Sequence, residues 1–440
     1  MEERPVRLAP PSNQPHRPKA NLRARGPRAQ SVGLLIVPRT DFQKKRDVNM
    51  LKHGKWTLAV VAAGLALGLV LAGTSLAAKG GNGGNGGGKP GGGDEEVTRI
   101  PLKLILLAGQ SNMSGSALSS DLETLAPELL IPQTDVPIWY THGLWEDLQP
   151  GLGNIAYFGP ELMFGRAMAD ALPYEHIALV KVPSAGNSLA LDWESDTPGA
   201  SWAKFLEEIA DSVANLDPIY EPEFVGMLWS QGGRDAQFVE QALAYEANLT
   251  KLIQDVRAEL GKPNLPFIIE HIQDNGEGTN RIFTTEVRDA QVSVSQNVAN
   301  TGLVDTVGLT VYDNVHYDAA GQLDFGARFA TEFLATAVFV PVAVDAVTYA
   351  TAGRKGRDLV VSVNISELLG PSVNTFVSFT LDHESGSSWE ASGLTDVDGN
   401  VTFSLSRAPT GDYTTTVTKL SISEGLGDWD GVTPANTFTK

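Results

Sequence analysis

The feature that most constrains this chain is a set of short, almost wholly apolar runs: "LKLILLAG" (102–109), "HIALVKV" (176–182), "EFVGMLW" (223–229), "PFIIEHI" (266–272) and "VDTVGLTV" (304–311). Between them lie longer stretches of helical period. In "DAQFVEQALAYEANLTKLIQDVRAELG" (235–261), Phe238, Ala242, Tyr245, Leu249, Leu252 and Val256 recur at threes and fours. "GPELMFGRAMADAL" (159–172) and "AAGQLDFGARFATEFLATAV" (319–338) behave alike. Strands apolar on both faces, alternating with helices, predict a parallel sheet covered on both sides. In such α/β folds ligands bind beyond the carboxyl ends of the strands.

At 440 residues the chain exceeds one typical domain. Its composition changes near residue 340. "DLVVSVNI", "NTFVSFTLDH", "NVTFSLS" and "YTTTVTKLSIS" alternate polar and apolar residues and are punctuated by "DVDGN" and "APTGD". These predict a C-terminal β-sandwich of immunoglobulin-like type over 343–440. Asp396, Asp398 and Asn400 share part of a calcium-loop spacing but lack the closing acid, so a hairpin turn is expected there and no metal site. The other end is different again. Residues 1–49 are rich in Arg and Pro, and read as a disordered basic extension or a mis-assigned start upstream of Met50. Residues 50–78 hold two lysines and then "WTLAVVAAGLALGLVLAGTSLAA", an export signal with a small-x-small cleavage site, or an uncleaved membrane anchor. Residues 79–98 are a Gly-rich linker. The expected location is therefore secreted or cell-surface, with membrane attachment only if the apolar segment is retained.

Residues 1–56 carry thirteen Lys/Arg against four acids, a net of +9, which leaves −28 on the other 384 residues. So acidic a body argues against nucleic acid as a partner. The absence of cysteine excludes disulfides, thiolate nucleophiles and thiolate metal sites.

"LLAGQSNMSG" (107–116) ends an apolar run in Gly109 and lifts Ser111 out between Gln110 and Asn112. A serine nucleophile needs a base and a group that orients the base. Of the seven histidines, His316 in "VYDNVHYDAAGQ" (311–322) stands between the last apolar run and the last helix, with Asp313 three residues earlier. "VPSAGNSLALDW" (182–193) and "LWSQGGRDA" (228–236) follow the second and third runs. Gly186 there permits close approach of a backbone N–H, and Gln231 offers a neutral amide donor.

Taken together, "AGQSNM", "FGPELMFG", "AGNS", "WSQGGRDA" and "DNVHYDAAGQ", in that order, resemble the SGNH-type acetylesterases of the sialate O-acetylesterase and carbohydrate esterase family 6 group. The resemblance covers about residues 99–337. It implies a flavodoxin-like three-layer fold over 99–340 and removal of O-acetyl groups from an acetylated polysaccharide or oligosaccharide, with no metal and no organic cofactor. It makes Ser111 the nucleophile, His316 the base and Asp313 its orienter. The N–H groups of Ser111 and Gly186, with the Gln231 side chain, become the oxyanion hole. Gln110, Asn112, Asn187 and Trp193 are the expected substrate contacts, and Trp139, Trp145 and Trp202 further sugar-stacking faces on loops. The sequence departs from the family in two blocks, one of them by Gly186-Asn187 in place of a commoner Gly-Thr, which implies a different substrate pocket. Where the family commonly reads W-H-Q-G-E-S-D, Ser230 replaces the histidine and Gly233 the glutamate, so Asp313 must support His316, with Asp192 and Asp235 as substitutes. Two other readings accompany this one: a carbohydrate-binding protein that has lost turnover, and a short-chain esterase with another substrate.

Overall fold

The computed structural model describes residues 99–140, 143–274 and 279–440. The basic extension, the apolar export segment and the Gly-rich linker lie outside the described residues, as does His142. Among the described residues, no helix is long and apolar enough to cross a membrane.

A seven-stranded sheet forms the first half. Its strands are β1 (Ile100–Gly109), β2 (Gln133–Trp139), β3 (Trp145–Leu148), β4 (Ile177–Pro183), β5 (Tyr220–Ser230), β6 (Phe267–Glu270) and β7 (Thr301–Val304). The spatial order is β3-β2-β4-β1-β5-β6-β7. All neighbours are parallel except the edge strand β3, which runs antiparallel to β2. The chain fills one side of β1 first and then the other. The crossover therefore reverses direction at β1, and a crevice opens where its carboxyl end meets those of β4 and β5.

Both faces are covered, as the apolar runs require. On one face Leu106, Ala108, Val180, Met227, Trp229, Phe267 and Ile269 share a core with residues of α2 (Ala200–Ala214), α3 (Tyr245–Glu259) and α4 (Thr284–Asn297). The other face lies under α1 (Glu161–Ala171) and α5 (Ala319–Thr336). There Phe325, Phe329 and Phe333 recur every fourth residue and are wholly buried, each contributing about 1.5–3 kcal/mol. Gly226 leaves room for Phe333, and Gly326 lets α5 approach the Pro160 carbonyl.

Several expectations change here. The run 304–311 is not a strand: β7 precedes it, and only Val311 pairs, in an isolated bridge to Tyr317. The long helical stretch 235–261 breaks into a 3-10 turn (Asp235–Gln237), a short helix (Val239–Leu243) and α3. The four tryptophans are not on loops offered to solvent. Trp139 ends β2, Trp145 begins β3 and Trp202 lies in α2, while Trp193 ends a short helix; Trp139, Trp193 and Trp202 are at most 3% exposed.

From residue 339 onward two sheets of mainly antiparallel strands follow. One is built on β8 (Phe339–Ala352), β9 (Asp358–Glu367) and β12 (Asn400–Leu405), the other on β10 (Phe376–His383), β11 (Ser388–Leu394) and β13 (Asp412–Ser421). Val344, Val361 and Val363 from the first and Phe379, Leu381 and Val417 from the second close one apolar core. The "DVDGN" turn links β11 to β12, which belong to different sheets, so it is no hairpin; Asp396 Oδ1 accepts the N–H groups of Asp398 and Asn400.

These sheets are locked to the amino-terminal ends of the parallel strands. Lys103 of β1 is wholly buried and donates to Glu223 Oε2 and to the Ile422 carbonyl, both at 2.6 Å. Glu223 Oε1 accepts the Gly425 N–H, and Glu175 accepts from Gly427 N–H and Ser421 Oγ. A buried ion pair is costly to break from one side, by about 3–5 kcal/mol.

His176 stands beside this junction, its ring edge-on to Phe376 at 5.8 Å. Burial, and secondarily the charge of Lys419, push its pKa from 6.5 down to about 4. The unfolded chain thus takes up a proton that the folded one refuses, and stability falls as pH drops from about 6.5 to about 4. Replacing His176 with Phe should flatten the thermal midpoint in that window relative to wild type. Superimposable midpoint-against-pH curves would disprove the assignment.

Candidate active site

The site is built at the carboxyl end of β1. Gly109 has φ +140, and a Cβ there would lie 2.1 Å from the Ser230 carbonyl oxygen, so only glycine lets β1 and β5 end so close together. The Gln110 N–H donates to that same carbonyl at 2.7 Å. One helical turn, Ser111–Ser114, follows at once. Its first N–H groups have no acceptor within the turn, which leaves the Ser111 amide available to a ligand.

The last loop brings the partners. His316 Nε2 is 2.9 Å from Ser111 Oγ, and His316 Nδ1 is 2.7 Å from Asp313 Oδ2. A carboxylate can only accept, so Nδ1 carries the proton and Nε2 accepts from the serine hydroxyl. Asp313 Oδ1 also accepts the N–H groups of Val315 and His316, at 3.0 and 2.7 Å, closing a tight turn in which Asn314 adopts φ +67. Burial raises the Asp313 pKa, but the hydrogen bonds from the His316 ring and from these two amides outweigh it and hold the carboxyl below its ordinary value. Such a chain can withdraw the hydroxyl proton of Ser111 while an electrophile approaches.

Asn112 fixes the two halves together. Its Nδ2 donates to the Val315 carbonyl at 3.2 Å, its Oδ1 accepts the Tyr317 N–H at 3.3 Å, and its own carbonyl accepts from Gln322 Nε2 at 3.0 Å. Both ends of its amide therefore hold the histidine loop and do not face a substrate, which corrects the expectation for this residue. Asn187 is similar, with Nδ2 donating to Ser184 Oγ and Ser201 Oγ. Gln110 is buried at the head of the turn. Trp193 packs edge-on to Trp229 at 4.8 Å inside the core and offers no face to a sugar.

Gly186, at φ +76, lies exposed in the loop after β4, with open space where a side chain would be. Gln231 is wholly buried. Its Nε2 donates to Asp235 at 2.6 Å and to the Asn187 carbonyl at 3.1 Å, and its Oε1 accepts from Tyr245. Both amide protons are engaged inward, so the side chain does not present the donor expected of it. Asp235 in turn accepts the Leu189 and Ala190 N–H groups, and Asp192 accepts that of Ser188. These bonds tie the loops after β4 and β5 together, and neither acid contacts His316.

Sequence reasoning missed what stands behind the departures from the family pattern. Ser230 donates to Glu270 Oε2 at 2.7 Å, and Tyr317 donates to Glu270 Oε1 at 2.6 Å. Glu270 is 2% exposed, and burial raises its pKa against those two bonds. A lone acid closing the apolar run "PFIIE" was the available signal. Above Gly233 lies Arg281, whose Cζ would be 2.4 Å from a Cβ at that position. Among the described residues, no group of three or more His, Asp or Glu side chains is arranged to hold a metal.

Serine, imidazole and carboxylate thus lie in hydrogen-bonding sequence beyond the central strand of a parallel α/β sheet. Residues 101–335 match the family "Carbohydrate esterase, sialic acid-specific acetylesterase", and the chain belongs to that family. A probable carbohydrate esterase of Arabidopsis thaliana is 25% identical over 250 residues, covering 53% of this chain and 91% of that protein. Among solved structures, an Arabidopsis thaliana protein aligns at 24% identity over 53% of this chain and 97% of its own, with a TM-score of 0.44. A carbohydrate acetylesterase from Xanthomonas citri aligns at 16% identity over 73% and 78%, with a TM-score of 0.40. The protein is a carbohydrate acetylesterase by family.

Truncating the tie should separate geometry from stability. Asn112→Ala is expected to lower ester turnover by about 10²-fold, the usual cost of misplacing a reacting group by an ångström. Turnover within twofold of wild type, in a folded variant, would mean that the histidine loop holds its own position.

Proposed function

We propose that this protein is an exported serine esterase that removes O-acetyl groups from carbohydrate, with acetylxylan or another acetylated sugar as substrate. The observation that carries the reading is the chain of contacts from Ser111 Oγ to His316 to Asp313, at 2.9 and 2.7 Å. Ser111 Oγ attacks the acetyl carbonyl as its proton passes to His316 Nε2, and the imidazolium formed is held by Asp313. The same proton then goes to the departing sugar hydroxyl, leaving an acetyl-serine. Water, deprotonated by His316, releases acetate and restores the serine. The negative oxygen of each tetrahedral intermediate is received by the Ser111 and Gly186 N–H groups, a contribution of about 3–4 kcal/mol per donor. Gln231 joins them only if its amide leaves Asp235.

The rest of the reading rests on the sequence. Residues 50–78 serve as the export signal and 79–98 as a linker. Residues 99–340 form the esterase domain, with a flavodoxin-like three-layer arrangement of the SGNH type, and 343–440 an immunoglobulin-like β-sandwich. The parallel sheet covered on both faces and the two sheets sharing one core support the last two assignments.

Acetate release from acetylated xylan and from 4-nitrophenyl acetate tests the reading directly. Ser111→Ala should abolish it, and Asp313→Asn should lower turnover by about 10⁴-fold because the imidazole tautomer is no longer fixed. Serine-independent release would overturn the mechanism. An unchanged rate in Asp313→Asn would remove the carboxylate from it.

A further inference from the structure

The imidazole of His316 is flanked by a ring that the chemistry above leaves out. Tyr312 lies nearly parallel to it, with ring centroids 5.8 Å apart and 19° between the planes. The Tyr312 N–H donates to the His316 carbonyl at 3.0 Å, and its hydroxyl donates to Ser116 Oγ at 3.1 Å. The phenol thus starts on the loop that carries His316 and ends on the segment after the Ser111 turn, alongside the 2.9 Å contact between Ser111 and His316. Yet Tyr312 is 56% exposed. Among the described residues the exposed aromatic side chains are Tyr157, Phe238 and Tyr312. Arg234 covers the ring of Phe238, and Tyr157 stands opposite Leu118 on a two-residue ladder. Trp139, Trp193 and Trp202 are withdrawn into the core. The aromatic surface offered beside His316 is therefore that of Tyr312.

Proton transfer restricts where a substrate can lie. In the esterase reading the departing oxygen takes its proton from His316 Nε2, so it must come within about 2.6–3.2 Å of that atom. The rest of the alcohol is then held beside the imidazole, against whatever flanks it, and the phenol of Tyr312 does. One face of that phenol is turned to the imidazole, and the open remainder is a flat apolar surface that gains by being covered. A pyranose presents the matching surface, because its axial C–H groups form an apolar face with the hydroxyls around the rim. Such a face packs on an aromatic plane through burial and dispersion. An acyclic alcohol offers no such plane.

We propose that Tyr312 is a specificity-determining residue that stacks on the sugar ring of the departing alcohol and so selects pyranosyl esters over esters of acyclic alcohols. The role rests on the esterase reading above and concerns the alcohol side of the ester, not the acyl side.

The test compares the full-length wild type with Tyr312→Ala, Tyr312→Leu and Tyr312→Phe. The substrates are an O-acetylated methyl xyloside, O-acetylated N-acetylneuraminic acid and, as an ester without a ring, ethyl acetate. In Tyr312→Ala the ratio of kcat/KM on the better sugar ester to that on ethyl acetate should fall about ten- to hundredfold, mainly through KM. Tyr312→Leu, apolar but not flat, should lose most of the ratio as well. Tyr312→Phe keeps the ring and drops the bond to Ser116, and should retain most of it. A ratio in Tyr312→Ala within twofold of wild type would overturn the proposal. So would an equal loss on sugar ester and ethyl acetate, which would leave Tyr312 only a support for His316. A wild type that cleaves ethyl acetate but neither sugar ester would also refute it. If no ester at all is cleaved, the esterase reading fails by itself, and titration calorimetry of Ser111→Ala with xylotriose and with N-acetylneuraminate decides the platform. Binding weakened tenfold or more by adding Tyr312→Ala would uphold it, and binding absent or unaffected would sink it.

Discussion

Ser111 and His316 are separated by 205 positions in the chain, and the amide of Asn112 is what makes them neighbours. One side chain donates to the loop before His316 and accepts from the residue after it, while its carbonyl is tied to the first turn of α5. The bonds are short-range and neutral, so they set position without adding charge beside the imidazole. Everything above them depends on a second constraint, the close ending of β1 and β5 that only a glycine at 109 allows. The parallel sheet provides direction, Gly109 provides proximity, and Asn112 locks the loop that carries His316.

The second side of the site is a set of nested amides and carboxylates. Asp235 gathers the loops after β4 and β5, and Gln231 is held between Asp235, Asn187 and Tyr245. Below it, Glu270 joins Ser230 to Tyr317, the residue next to His316. The chain thus keeps a buried acid beside Ser230, delivered from β6 and turned toward hydroxyl donors. A cation, Arg281, occupies the room over Gly233.

Much of this was legible in the sequence, and the limits are instructive. The central strands β1, β4, β5 and β6 announced themselves because strands buried on both faces must be apolar throughout. The edge pair β2 and β3 did not, since an edge strand with Pro137, Asp135 and Glu146 carries no such signature. Ser111, Asp313 and His316 were found from their places at strand ends, and the structure brings them within hydrogen-bonding distance. The roles of Asn112, Asn187, Gln231 and Trp193 were misjudged for one reason. A polar or aromatic residue near a nucleophile reads as facing the substrate, yet whether it does depends on the opposing loop, and no single segment encodes that.

The buried Lys103 also determines how the two halves of the molecule live together. Its ammonium lies on β1 itself, several residues from the strand's carboxyl end, and one of its acceptors is a carbonyl of the C-terminal sheets. A protein shortened to the parallel-sheet half would leave that lysine, Glu175 and Glu223 short of partners they now bury. The halves are therefore not beads on a string. The second serves as the floor of the first, at the end of the sheet opposite Ser111 and His316, and leaves the mouth of that end to the loops alone.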